Sequence, residues 1–369
     1  MFIFLLLASA PLHQDNAIES RNHGGPTHNC MHNTLKRAAP VRNVPQRYSK
    51  LKPGWARRLK MVSRAAWEAS LAPPQAGTKT LLNTEDDHEP IRIHVDYSKI
   101  YSDPGFSCHS TSDRFHDEQF RLTPCGYRDI ITPEKRKIVE KQILPGAVEF
   151  FHRLLRVRRV QGNLQVRTSN CGFDGGVQVP YEARSAGVPE ADFLILLTMR
   201  PIASQDTVAF SGHCEQDQSG RPTVAQFNWA PAQLRVAQDA FNLEYLIRIA
   251  MHELTHSLVF SPELLSYFNA GPATTWLETR YGVKTHVGSP RVVRAARLQF
   301  GCDSLGGAML EDGGGAGTAS THWEMRWFRD EYMVGSSSPG KKFFSALSAA
   351  LFADSGWWVV SLNLDTHAA

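Results

Sequence analysis

The segment IAMHELTHSLVF, Ile249 to Phe260, carries His252 and His256 four residues apart, with Glu253 directly after the first, in a stretch otherwise apolar enough for a buried helix. Positions i and i+4 of a helix project from one face, so both imidazoles can aim at one point about 2 Å from each ring nitrogen, the ligand distance of zinc. Glu253, one residue round the helix, stands beside that point. It is displaced too far to ligate, yet close enough to take a proton from a water molecule that a metal activates. The pattern therefore supports zinc-dependent hydrolysis. Unpaired imidazoles are costly in apolar surroundings, which weighs against an accidental match.

A catalytic zinc takes three protein ligands and leaves one position open. Short-spaced versions of the motif place the third ligand six residues after the second histidine, but that residue is Pro262. The third must lie further on, and His286, His322 and His367 are the candidates.

Such groups need elements that hold them. Globular patterning starts with PIRIHVDYS, where Ile91, Ile93 and Val95 alternate as in a strand. A helix is expected from Thr132 as N-cap, with Pro133 first and Glu134 in the opening turn. Its apolar positions Ile138, Val139, Ile143, Leu144, Val148, Phe151 and Leu155 recur at helical spacing, and Pro145 and Gly146 are expected to kink it. LQVRT, DFLILLTMR, TVAFSGHC and PTVAQFNWA read as strands, the second buried on both faces. The histidine-bearing helix should start near Ala237 and stop before Pro262. After it come a loop-rich stretch, a helix in SPRVVRAARLQFG, the Gly-rich EDGGGAGTAS and a last helix in KKFFSALSAALFADSG. This order predicts an α+β fold with a mixed, twisted sheet backed by helices.

At 369 residues, 42% hydrophobic and 21% charged, the chain is neither fibrous nor wholly disordered. Its net charge of +4 hides an asymmetry, because Lys36 to Arg64 holds ten Lys or Arg and no acid. Proline interrupts that run and aromatic residues do not interleave it regularly, so it reads as a detachable N-terminal segment and no nucleic-acid partner is expected. MFIFLLLASA has a short apolar core ending in small residues, so residues 1–15 are expected to be a secretory signal peptide. A truncated gene start is the other reading, since no Lys or Arg precedes the core. Residues 16–90, polar and basic, are expected to form a pro-region. No later window reads as a membrane helix or lipid-anchor signal, and no Asn-x-Ser/Thr sequon is present. Six cysteines without a CxxC suit disulfides better than a zinc ribbon.

The stretches AMHELTHSLVFS, CDSLGGAMLEDGGGAGTASTHWEMRWFRDEYMVG and FFSALSAALFADSG resemble the leishmanolysin family of metzincin zinc metalloproteases. LTPCGYRDIITPEKRKIVEKQILPGAVEFF and SNCGFDGG extend the resemblance over nearly all of Ile91 to Gly356. It implies a single zinc ion held by His252, His256 and His322, with Glu253 as general base and Met333 in a turn beneath the metal. Residues 91–261 would form a catalytic subdomain and 262–369 a mainly helical and irregular second one, with the substrate cleft between them. Cys30, between His28 and His32 in HNCMHNTL, would silence a zymogen, since a thiolate is a strong zinc ligand. Cys108 would pair with Cys125 and Cys171 with Cys214, each bond stabilising the fold by about 3 kcal/mol. Peptide or protein substrates would lie extended against the strand TVAFSGHC, at Val208, Ala209, Phe210 and Ser211. Tyr332 and Trp323 would be core or cleft wall. The expected product is a secreted, monomeric endopeptidase, in solution or associated with the cell surface.

Two departures from the family pattern support an alternative, a catalytically inactive binding or adhesion protein. The family has Gly three residues after the second histidine, where a sharp exit from the helix takes positive φ, and this chain has Val259. The family's mate for Cys302 lies beyond the Met-turn, where this chain has no cysteine, which suggests that a C-terminal domain is missing.

Overall fold

The computed structural model describes residues 28–29, 87–117, 120–172, 176–202, 207–234, 240–269, 271–279, 282–313, 318–337 and 342–361. The expected signal peptide, Cys30, His32, His367 and the pro-region other than residues 28–29 and 87–90 lie outside them.

A four-stranded mixed sheet forms the centre. It comprises β1 (Ile93–Asp96), β2 (Phe193–Thr198), β3 (Ala209–Gln216) and β4 (Pro222–Trp229) in the order β3-β4-β2-β1. β3 runs antiparallel to β4, and β2 is parallel to both β4 and β1. Because side chains alternate across a strand, β2 feeds two layers. Phe193, Ile195 and Leu197 enter the main core with the helices, while Leu194 and Leu196 pack with Leu164, Val166, Val177, Val179 and Val188 on the opposite face. That two-sided burial explains the unbroken apolar run in the sequence.

The first long helix is capped as expected, the Thr132 side chain accepting from Lys135 N–H at 3.3 Å. It does not break at Pro145. The α-helix Pro133–Ile138 passes through a π-turn, Val139–Ile143, into α1 (Leu144–Leu154). Leu144 N–H bonds to Val139 O, one residue further back than in an α-helix, so the chain widens just ahead of a residue with no N–H to give. Gly146 has a packing reason. A Cβ there would lie 2.8 Å from Ile247 Cδ1 on the neighbouring helix α2 (Ala240–Leu258).

Two readings of the sequence are corrected. LQVRT is not a strand, since only Leu164 forms a bridge, to Val188. The segment after Pro262 is also less irregular than its composition suggests. Thr274–Thr279 and Gly282–Val287 form an antiparallel ribbon extended by Ala308–Met309. Threonines and exposed residues there conceal the alternation that a strand otherwise shows. α3 (Pro290–Phe300) and α4 (Ala346–Asp354) follow, α3 ending at Gly301 in the left-handed conformation. Val287, Val292, Leu310, Trp323 and Leu351 belong to the same hydrophobic cluster as the sheet and α2, so one core runs through both halves of the chain. The disulfides Cys108–Cys125 and Cys171–Cys214 are formed, and Cys302 is a half-buried free thiol.

An ion pair joins the starts of β1 and β2 to the chain at Val160. Asp192, fully buried, accepts from Arg92 N–H at 2.9 Å, from the Arg92 guanidinium at 2.9 and 3.0 Å, and from Val160 N–H at 2.7 Å. Burial pushes its carboxyl up, but these donors outweigh it and hold the group below the ordinary carboxylate range. A depressed pKa contributes stability above the unfolded value near 4 and loses it as pH falls through the folded one. Asp192→Asn should therefore cost about 3 kcal/mol at pH 7, with a gap to wild type that narrows below about pH 4. Urea titrations at several pH values would measure this, and a pH-independent gap would contradict it.

Candidate metal centre

The C-terminal half of α2 is buried on every side, from His252 through Phe260. A helix in that position normally carries only apolar residues, so its polar groups need partners. His252 and His256 face a third imidazole, His322, from the loop that precedes Trp323. Their Nε2 atoms lie 3.1 Å apart for His252 and His322 and 3.2 Å apart for His252 and His256. The ring centroids are 4.8 to 5.1 Å from one another.

The opposite side of each ring is fixed by the backbone. His252 Nδ1–H donates to Tyr332 O at 2.7 Å, His256 Nδ1–H to Phe260 O at 2.9 Å, and His322 Nδ1–H to Thr318 O at 2.9 Å. A carbonyl can only accept, so each Nδ1 carries a proton, and in the neutral imidazole Nε2 then presents its lone pair inward. Three lone pairs brought this close repel one another, and a cation held among them relieves that repulsion. Nitrogens bound at about 2.05 Å around a tetrahedral ion sit about 3.3 Å apart, close to the observed spacing, and the carbonyl contacts are the outer-shell partners that metal-bound histidines use. The residues therefore fit a zinc ion. His286 is not part of the cluster. It sits on the ribbon, its Nδ1 3.0 Å from Lys284 O.

Glu253 is fully buried on the same turn. Met333 is fully buried, and its carbonyl accepts from Trp323 N–H at 3.0 Å, which ties the turn to the residue after His322. Tyr332 packs in the core, and its hydroxyl lies 2.5 Å from Thr255 Oγ1 on α2. Since Thr255 donates to Met251 O, the tyrosine is the donor. Trp323 is core, packed against Phe260 with centroids 4.6 Å apart. The carbonyls of Tyr332, Phe260 and Thr318 were not legible in sequence, because backbone atoms leave no residue-type signature. In a second group, Glu311, Asp312 and Glu324, Lys284 and Arg326 pair with Asp312 and Arg326 also pairs with Glu324, while Glu311 accepts from the N–H groups of Gly313 and Met325.

Val259 avoids the strain expected of it. The described non-glycine residues with positive φ are Phe120, Glu190 and Ser320. Val259 stays helical enough for its N–H to reach Thr255 O at 2.9 Å, and Phe260 N–H reaches the same carbonyl at 2.9 Å. The exit thus falls after Phe260, at extended Ser261, which caps the helix Pro262–Ser266 through Leu264 N–H. Of the proposed substrate strand, Val208 and Ala209 enter the main core and Phe210 packs on Ile202 and Ala230. Ser211 Oγ donates to Gln226 O and lies 2.5 Å from Ser257 Oγ, next to His256. β3 is the outermost strand of the described sheet.

Gly335 packs beneath the third histidine. A Cβ there would lie 2.0 Å from Thr318 Cγ2 and 3.5 Å from His322 Cγ. Gly335→Ala must displace Thr318, whose carbonyl orients His322, and should weaken zinc binding about tenfold while leaving the fold intact. Chelator competition measures this, and an unchanged zinc affinity would refute it.

The sequence model of a family described as Leishmanolysin matches residues 28–365. Leishmanolysin of Leishmania tropica is 27% identical over 343 residues, 92% of this chain and 50% of that protein. The Leishmania major protein is 27% identical over 338 residues, 91% of this chain and 54% of its own length. A leishmanolysin-like peptidase of Drosophila melanogaster is 26% identical over 318 residues, 63% of this chain and 46% of that protein. The chain thus spans about half the length of the curated relatives it matches.

Proposed function

The chain belongs to the leishmanolysin family, and from that premise we propose that it is a zinc-dependent endopeptidase cleaving extended protein substrates, with His252, His256 and His322 as ligands and Glu253 as general base. The observation that carries the reading is the convergence of three Nε2 atoms, each turned inward by the carbonyl on its Nδ1, with the buried Glu253 on the same helical turn. Bound there, zinc supplies a Lewis acid that polarises a peptide carbonyl and brings water's pKa towards 7. Glu253 takes the proton of the attacking water and passes it to the departing amine. Its burial keeps competing solvent from that carboxylate. Substrate lies along β3, whose position at the sheet's edge beside Ser257 supports main-chain pairing and broad specificity. The cleft lies between residues 91–261 and 262–369, with Met333 in the turn below the metal.

The protein is made as a secreted zymogen, in solution or at the cell surface, and works as a monomer. No helix among the described residues is long and apolar enough to cross a membrane. Antiparallel pairing of His28–Asn29 with Ser336–Ser337, just past Met333, supports an inhibitory role for Cys30, whose thiolate would take the position water needs. The second reading, an inactive binding or adhesion relative, drew on Val259, and the strain-free helix exit weakens that ground.

Wild-type protein should bind one zinc per chain and cleave a quenched peptide library. Glu253→Ala should keep the zinc and lose roughly 10²- to 10⁴-fold in kcat. Stoichiometric zinc without Glu253-dependent cleavage would leave the binding reading instead. Cys30→Ala precursor should cleave without prior activation, and a precursor equally silent with and without Cys30 would remove the thiol from the account.

A further inference from the structure

The turn beneath the metal contains a buried acid that the proposed chemistry does not use. Glu331 is 4% exposed and accepts four hydrogen bonds. Its Oε2 takes Met333 N–H at 2.5 Å, while Oε1 takes Ser348 Oγ–H at 2.5 Å, Ser345 Oγ–H at 3.0 Å and Ser345 N–H at 3.4 Å. Ser345 caps α4 and Ser348 lies in its first turn, so one carboxylate joins the turn to the start of that helix.

Two paths lead from it to the ligands. The next residue, Tyr332, gives its carbonyl to His252 Nδ1–H. Ser348 Oγ also accepts from Trp323 Nε1–H at 3.0 Å, and Trp323 follows His322 in the chain. Trp323 N–H in turn bonds to Met333 O, which closes a ring of contacts around Glu331. Burial pushes this carboxyl up to about 7 in spite of its donors. A group that expensive to bury is commonly kept for a site.

We infer that Glu331 is a positioning residue for the metal centre: it fixes the turn whose Tyr332 carbonyl orients His252 and, through Ser348, the indole adjoining His322. The inference rests on the zinc reading of the site but not on its being catalytic. Removing the carboxylate frees the turn to shift, and ligand nitrogens that shift lose affinity for the ion. The turn itself should survive, because Tyr332 N–H still bonds to Phe343 O at 3.1 Å and Phe343 N–H to Asp330 O at 2.8 Å.

The test compares zinc dissociation constants, by competition with a chromogenic chelator, for wild type, Glu331→Leu, Glu331→Gln and Ser348→Ala. The full chain is used, with folding followed by circular dichroism. Glu331→Leu should weaken zinc about 10- to 100-fold, the range for outer-shell changes, and Ser348→Ala several-fold. Glu331→Gln should stay within about threefold of wild type, since an amide oxygen can accept from Met333 N–H while its NH2 donates to the serines. A purely structural role predicts lower melting temperatures with unchanged zinc affinity in every folded variant, and that result overturns the inference. Where Glu331→Leu does not fold, Ser348→Ala decides. Zinc affinity that responds to these variants in a protein that cleaves nothing would sink the protease reading alone.

Discussion

Three imidazole nitrogens within 3.2 Å along the chain of contacts His256, His252, His322, each turned inward by a carbonyl on the far side of its ring, form an arrangement suited to holding a cation. The rest of the fold follows from meeting that constraint. Two of the three imidazoles come from one helix, where i and i+4 spacing aligns them without further cost. The third arrives after a long excursion and must be returned to the same point within a fraction of an ångström. Precision of that kind comes from packing, and the return is made by buried pieces. Trp323 sits against Phe260, buried Met333 accepts from Trp323 N–H, and Gly335 is small enough to leave room for Thr318.

The helix end is where apolar packing and polar chemistry meet. Residues 252 to 260 have no solvent-facing side, so the histidines, Thr255 and Ser257 find their hydrogen-bond partners inside the protein. Thr255 bonds to Met251 O and to Tyr332, Ser257 to Ser211, and the two histidines to backbone carbonyls. The exit through Val259 belongs to the same economy of contacts. Thr255 O receives two N–H groups, from residues four and five further on, so the helix widens at its end and delivers Phe260 O to His256 without a left-handed residue. A glycine would permit a tighter departure, whereas valine fills the core.

How much of this the sequence revealed depended on whether the signal was a side chain with a period. The helix from Thr132, the buried strand Phe193–Thr198 and the histidine-bearing helix all announced themselves through caps or apolar spacing. The pair His252 and His256 was legible by helical geometry alone. His322 was not, since spacing left three candidates and only likeness to a family chose among them. LQVRT alternates like a strand yet pairs at one residue, because strand identity depends on a neighbour that the local sequence does not specify. The ribbon after Pro262 failed in the opposite sense, its half-exposed threonines concealing real pairing. Pro145 signalled a kink, and the chain meets its missing N–H with a π-turn while the flanking residues keep packing in the core.

The separation of the ligands along the chain has a thermodynamic consequence. His256 and His322 are 66 residues apart, and between them lie the ribbon and α3, both of which contribute to the common core. In the unfolded chain that loop makes a three-nitrogen site rare, so an ion held by these nitrogens would bind the native state far better than the unfolded one. Differential binding of that kind stabilises the fold by RT ln(1 + [Zn]/Kd), about 4 kcal/mol at a thousandfold excess over Kd. Stability and site geometry are then one quantity seen from two sides: whatever loosens the return of His322 raises Kd, and a higher Kd withdraws stabilisation from the core that returns it. The same reciprocity would let a histidine reached only through tertiary packing coexist with weakly patterned connecting elements, because a bound ion would supply part of the cohesion that their sequence does not.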